Sequence, residues 1–343
     1  MSSGNKPRRR PGRPEWFSDL SLYAQADNTR AIWQLANTIL PYFALWAVMI
    51  YLIREGVSYW LILPLVLLAG GFLVRIFIFF HDCCHGSFFK SRRLNRIVGY
   101  FTGILTFTPF EQWRKSHNTH HATVGDLDRR GVGDVWTMTV EEYMATSTIQ
   151  RFAYRIVRTP FFTFLIGPPV MFFIMQRIPS KGGGKAERNS VWITTGALLA
   201  IFALSYFTIG VRTYLLIQMP VMYVAAVSGV WLFYVQHQFE GVYWARHDAW
   251  EPLRASLQGS SFYKLPAVLD WFSGRIGYHH LHHVNPRIPN YFLPAAYSAV
   301  PAVQIDDPLT IRKSLKSLRM NLWDEKNQRL VSFQSLRGAS GSG

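Results

Sequence analysis

Nine of the eleven histidines fall into three short clusters: His81 and His85 in HDCCH, His117, His120 and His121 in HNTHH, and His279, His280, His282 and His283 in HHLHH. Spacings of three and four residues put side chains on one helix face about a turn apart, so each cluster presents its imidazoles in one direction. Imidazole suits iron, copper, zinc and nickel, and eight or nine nitrogen ligands are too many for one ion but appropriate for two. The spacing therefore predicts a dinuclear metal site. A zinc hydrolase fits less well, because zinc sites commonly use three protein ligands plus water, often with the Glu of an H-E-x-x-H motif, which is absent. Cys83 and Cys84 are the only cysteines and are adjacent, so neither a disulfide framework nor a four-thiolate cluster can be built.

The elements that must position these histidines are largely apolar. Of 343 residues, 49% are hydrophobic, 15% aromatic and 16% charged, and the apolar residues gather into runs of membrane-crossing length. Residues 31–53 and 58–80 form one pair of predicted spans, and 191–209 and 213–236 a second. The run at 97–110 is too short to cross, and that at 161–178 is interrupted by Gly167, Pro168 and Pro169; both are read as embedded without crossing, the second with a crossing alternative. Residues 81–160 and 237–300 would then form a cap on the cytoplasmic side. The expected class is an all-α integral membrane protein of about four transmembrane helices, with re-entrant or interfacial segments and a helical cap holding the histidines.

Lys and Arg number 36 against 20 Asp and Glu, a net charge of +16. Residues 1–30 are basic, with Lys6, Arg8, Arg9, Arg10 and Arg13, and read as a cytoplasmic N-terminus; the positive-inside tendency and anionic lipid account for much of the excess, and hydrophobicity disfavours nucleic acid. Residues 301–343 read as a basic amphipathic tail, since Ile311, Leu315, Leu318 and Leu322 recur at helical spacing among Arg312, Lys313, Lys316 and Arg319, suited to lie on anionic lipid or to pack on the cap. The terminal GASGSG is low-complexity, and no internal repeat is seen. An ion transporter would place ionisable groups inside the spans, yet Arg75 is the one charged residue within 58–80 and the histidines sit at segment ends.

The segments HDCCHGSFF, WRKSHNTHHATVGDLDRRGVGDVW, FYVQHQFEGVYW and GSSFYKLPAVLDWFSGRIGYHHLHHVNPRIPNY resemble the membrane fatty acid desaturase family, most closely its bacterial acyl-lipid branch, over roughly residues 30–300. The resemblance implies a four-span bundle whose cap holds two irons and uses O2 and two electrons to remove two hydrogens from an unactivated acyl chain. It implies the ligands His81, His85, His117, His120, His121, His279, His282 and His283, with His237 as an additional one, and leaves His247 and His280 outside the set. Animal stearoyl-type members carry an Asn, four residues before the additional histidine, that holds a metal-bound water; here that position is Phe233.

Carboxylates or ordered waters around the ligands would orient the rings by accepting their other N–H. Asp82, Asp126, Asp128, Asp134 and Glu240 are candidates, Asp82 and Asp134 foremost. An apolar tunnel lined from around 100–110 and 223–239 is expected to present the acyl chain. Electrons must come from outside, since neither a dinucleotide fingerprint nor a four-cysteine set is present; ferredoxin or flavodoxin, both acidic, would suit the charge. A diiron hydroxylase acting on an alkane or a carotenoid is the competing reading. Location in a bacterial cytoplasmic membrane is expected.

Overall fold

The computed structural model describes residues 14–336. The basic residues before position 14 and the terminal GASGSG lie outside the described residues.

Two long hairpins dominate. Helix α1 (Asn28–Arg54) starts where Asp27 accepts hydrogen bonds from the backbone N–H of Thr29 at 2.8 Å and Arg30 at 3.2 Å, satisfying donors the helix leaves unpaired. It turns at Gly56 into α2 (Tyr59–His85). The second hairpin follows later in the chain. All four long helices of the two hairpins are apolar enough to cross a membrane. Beyond α2 come α3 (Arg92–Leu105), capped by the Ser91 side chain, and α4 (Phe110–Thr123). Then α5 (Thr148–Val157) leads through Pro160 into a helical stretch over Phe161–Arg177, bent by 60° from it. The second hairpin is α6 (Lys185–Thr208) and α7 (Val211–His237), and the cap is completed by α8 (Ala267–Phe272) and α9 (His279–Val284).

Helix α2 is the central one. Some 56% of its apolar window is buried, against 17% for both α1 and α6, which expose Trp33, Leu40, Trp192 and Leu199 as a lipid-facing helix should. Small residues let the helices approach: a Cβ on Gly70 would lie 2.5 Å from Val224 of α7. Arg54 Nη2 donates to the Thr208 carbonyl at 2.9 Å, so both tight turns lie at one end of the bundle, and the histidine-bearing ends of α2 and α7 lie at the other. Arg75, buried mid-helix, donates from Nε to Thr38 Oγ1 at 3.1 Å and from Nη1 to the Trp271 carbonyl, and stacks over the Trp271 ring at 4.1 Å. Its charge thus fastens α8 of the cap to two spans.

Three segments differ from the sequence expectation. The span over 58–80 continues to His85 and stops there because Gly86 adopts φ 66°, so the first histidine pair is the helix's own last turn. The run at 97–110 is not one element: α3 begins at Arg92 and ends at Leu105, Phe107 adopts φ 57°, and Phe110 already belongs to α4. The tail forms no continuous amphipathic helix. Ile311–Ser314 and a 3₁₀ stretch, Leu315–Arg319, give way to strand Leu322–Asp324, which pairs with Met138–Thr139 and Arg329–Val331; Leu318 and Leu322 are drawn into the cap by Tyr234 and Tyr154.

Helix α3 lies close against α2 and the start of α4: a Cβ on Gly103 would sit 2.6 Å from the Thr108 carbonyl and 2.9 Å from the Phe80 ring. Gly103→Ala is expected to destabilise the protein by about 1–3 kcal/mol through overpacking, seen as a lowered Tm in detergent; an unchanged Tm would show that the 105–110 turn yields freely.

Candidate metal centre

Four helices supply the histidines. The last turn of α2 carries His81 and His85, α4 carries His117, His120 and His121, α7 ends on His237, and the short α9 carries His279, His282 and His283. They divide into two groups that cut across the sequence clusters: His81, His85, His117, His121 and His282 in one, His120, His237, His279 and His283 in the other. Within each group one nitrogen per residue lies within 4.8 Å of all the others, the arrangement a metal ion requires. The rings of His121 and His283 stack at 4.1 Å where the groups adjoin.

Hydrogen bonds on the far side fix the ring tautomers. His120 Nδ1 donates to Asp134 Oδ1 at 2.5 Å, and His237 Nδ1 donates to the Gly259 carbonyl at 3.1 Å. The Gly259 carbonyl can only accept, so in the neutral His237 ring the lone pair lies on Nε2. The Nε2 atoms of His120 and His237 face one another at 3.2 Å. His279 Nε2 lies 2.9 Å from His237 Nε2, and the buried Nε2 atoms of His81 and His85 have no hydrogen-bond partner at all. Converging lone pairs and orphaned ring nitrogens in a desolvated pocket are what a bound cation would relieve, so the donor set fits a metal pair.

Burial, with the like charges its neighbours would carry, holds His117, His121, His279, His282 and His283 far below the usual imidazole range, ready to coordinate. His280 belongs to neither group. Its Nε2 donates to the Val303 carbonyl at 2.9 Å, and burial lowers its pKa to about 4. His247 sits apart on Asp126.

Of the five candidate carboxylates, two touch the histidine groups. Asp82 accepts from His81 Nδ1 at 3.0 Å and from the Asn290 N–H at 2.7 Å, tying α2 to the segment after α9. Asp134 holds His120 and accepts the Gly131 N–H at 3.2 Å. Asp126 and Asp128 bind His247 instead, and Glu240 pairs with Lys316. The carbonyl of Gly259, which orients His237, leaves no trace in a sequence because every residue has one. Trp113 stacks on His117 at 4.2 Å, and Phe233 lies within 5.3 Å of the His120 and His237 rings, closing the site with apolar surface.

The fatty acid desaturase family profile matches residues 58–313. A fatty acid desaturase of Bacillus subtilis is 45% identical over 318 residues, 93% of this chain and 90% of that protein. The chain belongs to the fatty acid desaturase family. More distant relatives of this desaturase include an Arabidopsis thaliana protein named sn-2 acyl-lipid omega-3 desaturase (ferredoxin), chloroplastic, 28% identical over 334 residues (88% of this chain, 70% of that one). A Synechocystis protein named sn-1 acyl-lipid omega-3 desaturase (ferredoxin) is 29% identical over 265 residues, 73% and 70% of the two chains. As a member of this family the protein is an oxidoreductase.

The five depressed imidazoles set a pH dependence for the metal-free desaturase. Their folded values lie below about 6.5, so the unfolded chain takes up protons first as pH falls. Stability is therefore full above that value and lost below it. The Tm of chelator-treated protein should drop between pH 7 and pH 5; a flat profile would mean that the rings are charged or solvated when folded.

Proposed function

We propose that this desaturase inserts a cis double bond into the acyl chain of a membrane lipid. In this reading His81, His85, His117, His121 and His282 hold one iron and His120, His237, His279 and His283 the other, with O2 as co-substrate. The observation that carries the reading is the division of nine imidazoles, most of them buried, into two convergent groups within a desaturase chain. Iron rather than zinc is inferred from the reaction, since nitrogen ligands accept both and zinc has no redox chemistry. When bound, the iron pair supplies the oxidising power, with O2, to take hydrogen from an unactivated carbon.

The protein's share is to bind, orient and keep dry. Asp134 and Asp82 hold the rings of His120 and His81, and the Gly259 carbonyl holds His237, so that the remaining nitrogens converge without further ordering. Trp113 and Phe233 lay apolar surface against the two groups. An acyl chain would enter among the aromatic side chains around 100–110 and 223–239, and the fit of that passage would select the carbon presented.

Electrons come, in this reading, from a ferredoxin- or flavodoxin-type carrier, supported by the (ferredoxin) relatives and by the basic charge of the chain. The site faces the cytoplasm of a bacterial inner membrane, and the bent 161–178 segment re-enters without crossing, which keeps the α2 and α7 ends on one side with two crossings between them.

Asp134→Asn would leave His120 with a weakened ring partner and should lower iron affinity by about 10–100-fold, measured by chelator competition; unchanged affinity would remove Asp134 from the centre. The activity itself is tested by mass spectrometry of total fatty acids from a desaturase-poor bacterium expressing the chain beside His120→Ala. New unsaturated chains two mass units lighter, absent from the variant, are expected. Products sixteen units heavier would establish a hydroxylase instead.

A further inference from the structure

Beside the four-histidine group lies a small cavity of about 20 Å³, bordered by His120, His237, Phe233, Arg130, Asp134 and Asp126. That is room for about one water. Asp126 is fully buried, and its Oδ2 accepts the Nδ1–H of His247 at 2.7 Å, while the His247 side chain is 46% exposed. The pair thus runs from solvent to the cavity wall. Arg130 Nη1, buried without a protein partner, offers a further polar group at that wall.

The geometry is held by design of the backbone. Leu127 N–H donates to the Ala245 carbonyl and Ala245 N–H to the Gly125 carbonyl, both at 2.9 Å, which clamps 125–127 against 245–247. Gly125 has φ +74°, and a Cβ there would lie 3.0 Å from the Tyr243 carbonyl, so the clamp demands glycine. His247 is fixed by Asp128, which accepts its backbone N–H at 2.9 Å, and by Arg129 Nη2, which donates to its Nε2 at 2.8 Å. Arg246 pairs with Asp128 and Glu325 at 2.7 Å each. None of these groups is needed to hold a metal.

We propose that His247 and Asp126 form a relay that carries protons from solvent to the dioxygen being reduced at the four-histidine group. The inference rests on the desaturase reading above. Desaturation converts –CH2–CH2– with O2, two electrons and two protons into –CH=CH– and two waters: the acyl chain loses two C–H hydrogens with two electrons, the external carrier supplies the other two electrons, and two protons must enter a site otherwise closed by apolar side chains. A proton taken up at His247 Nε2, as Arg129 gives way, releases the Nδ1 proton to Asp126 and from there to water in the cavity; the starting tautomer returns when the exposed ring swings Nδ1 to solvent, takes a proton there and releases the one on Nε2.

The test uses the full-length, iron-loaded protein in nanodiscs with a reconstituted electron carrier. His247→Gln keeps a side chain that can donate to Asp126 but cannot carry a proton. It should retain wild-type iron content and Tm, lose about 10²-fold in the rate of double-bond formation, show a larger solvent deuterium isotope effect, and regain rate with added imidazole. Asp126→Asn should behave alike without the imidazole rescue. Wild-type rate and isotope effect in His247→Gln would overturn the relay, and loss of iron along with activity in both variants would assign the pair to holding the clamp instead. An inactive but iron-loaded wild type would count against the desaturase reading rather than against the relay alone.

Discussion

The whole molecule answers to one constraint: nine imidazoles must be drawn out of water and turned so that their ring nitrogens converge. Nothing in a metal-free polypeptide rewards that arrangement. His120 and His237 bind Asp134 and the Gly259 carbonyl through Nδ1 and face each other through Nε2 at 3.2 Å. The fold is organised to supply the packing that holds these rings in place. Two hairpins set the ends of α2 and α7 side by side, and α4 and α9 bring their histidines to the same place.

The membrane and the cap are therefore not separate layers. Helix α2 is buried along most of its length and delivers His81 and His85 without a break from lipid to site. Asp82 on its last turn binds the backbone at Asn290, and Arg75 two turns deeper binds the carbonyl of Trp271. These polar contacts reach across the interface from one helix, so directional hydrogen bonds add to the packing of Phe72 on Trp271 and Phe272 in registering the third histidine cluster against the first.

Much of this was legible in the sequence. Four apolar runs and three histidine clusters at helical spacing point to four helices of membrane-crossing length and to eight of the nine histidines that the fold brings together, because both signals are local and periodic. The partition into five and four was not legible, since it assigns His120 and His121, neighbours in the chain, to different groups, and only the packing of four helices decides that. Nor was the place of His280 legible, since its ring lies on the Val303 carbonyl, a contact between segments far apart in the chain. Helix ends were misjudged where a single backbone geometry governs them, as at Gly86 and Phe107, and the tail failed to form its amphipathic helix because strand pairing and burial of Leu322 outweighed local periodicity.

The central claim is that the two groups are two different metal sites in one centre. Mössbauer spectroscopy of the purified protein loaded with 57Fe tests it most directly. Two distinct iron environments of equal population, one per histidine group, are predicted. A single iron environment, or one iron per chain, would contradict the division on which the account depends.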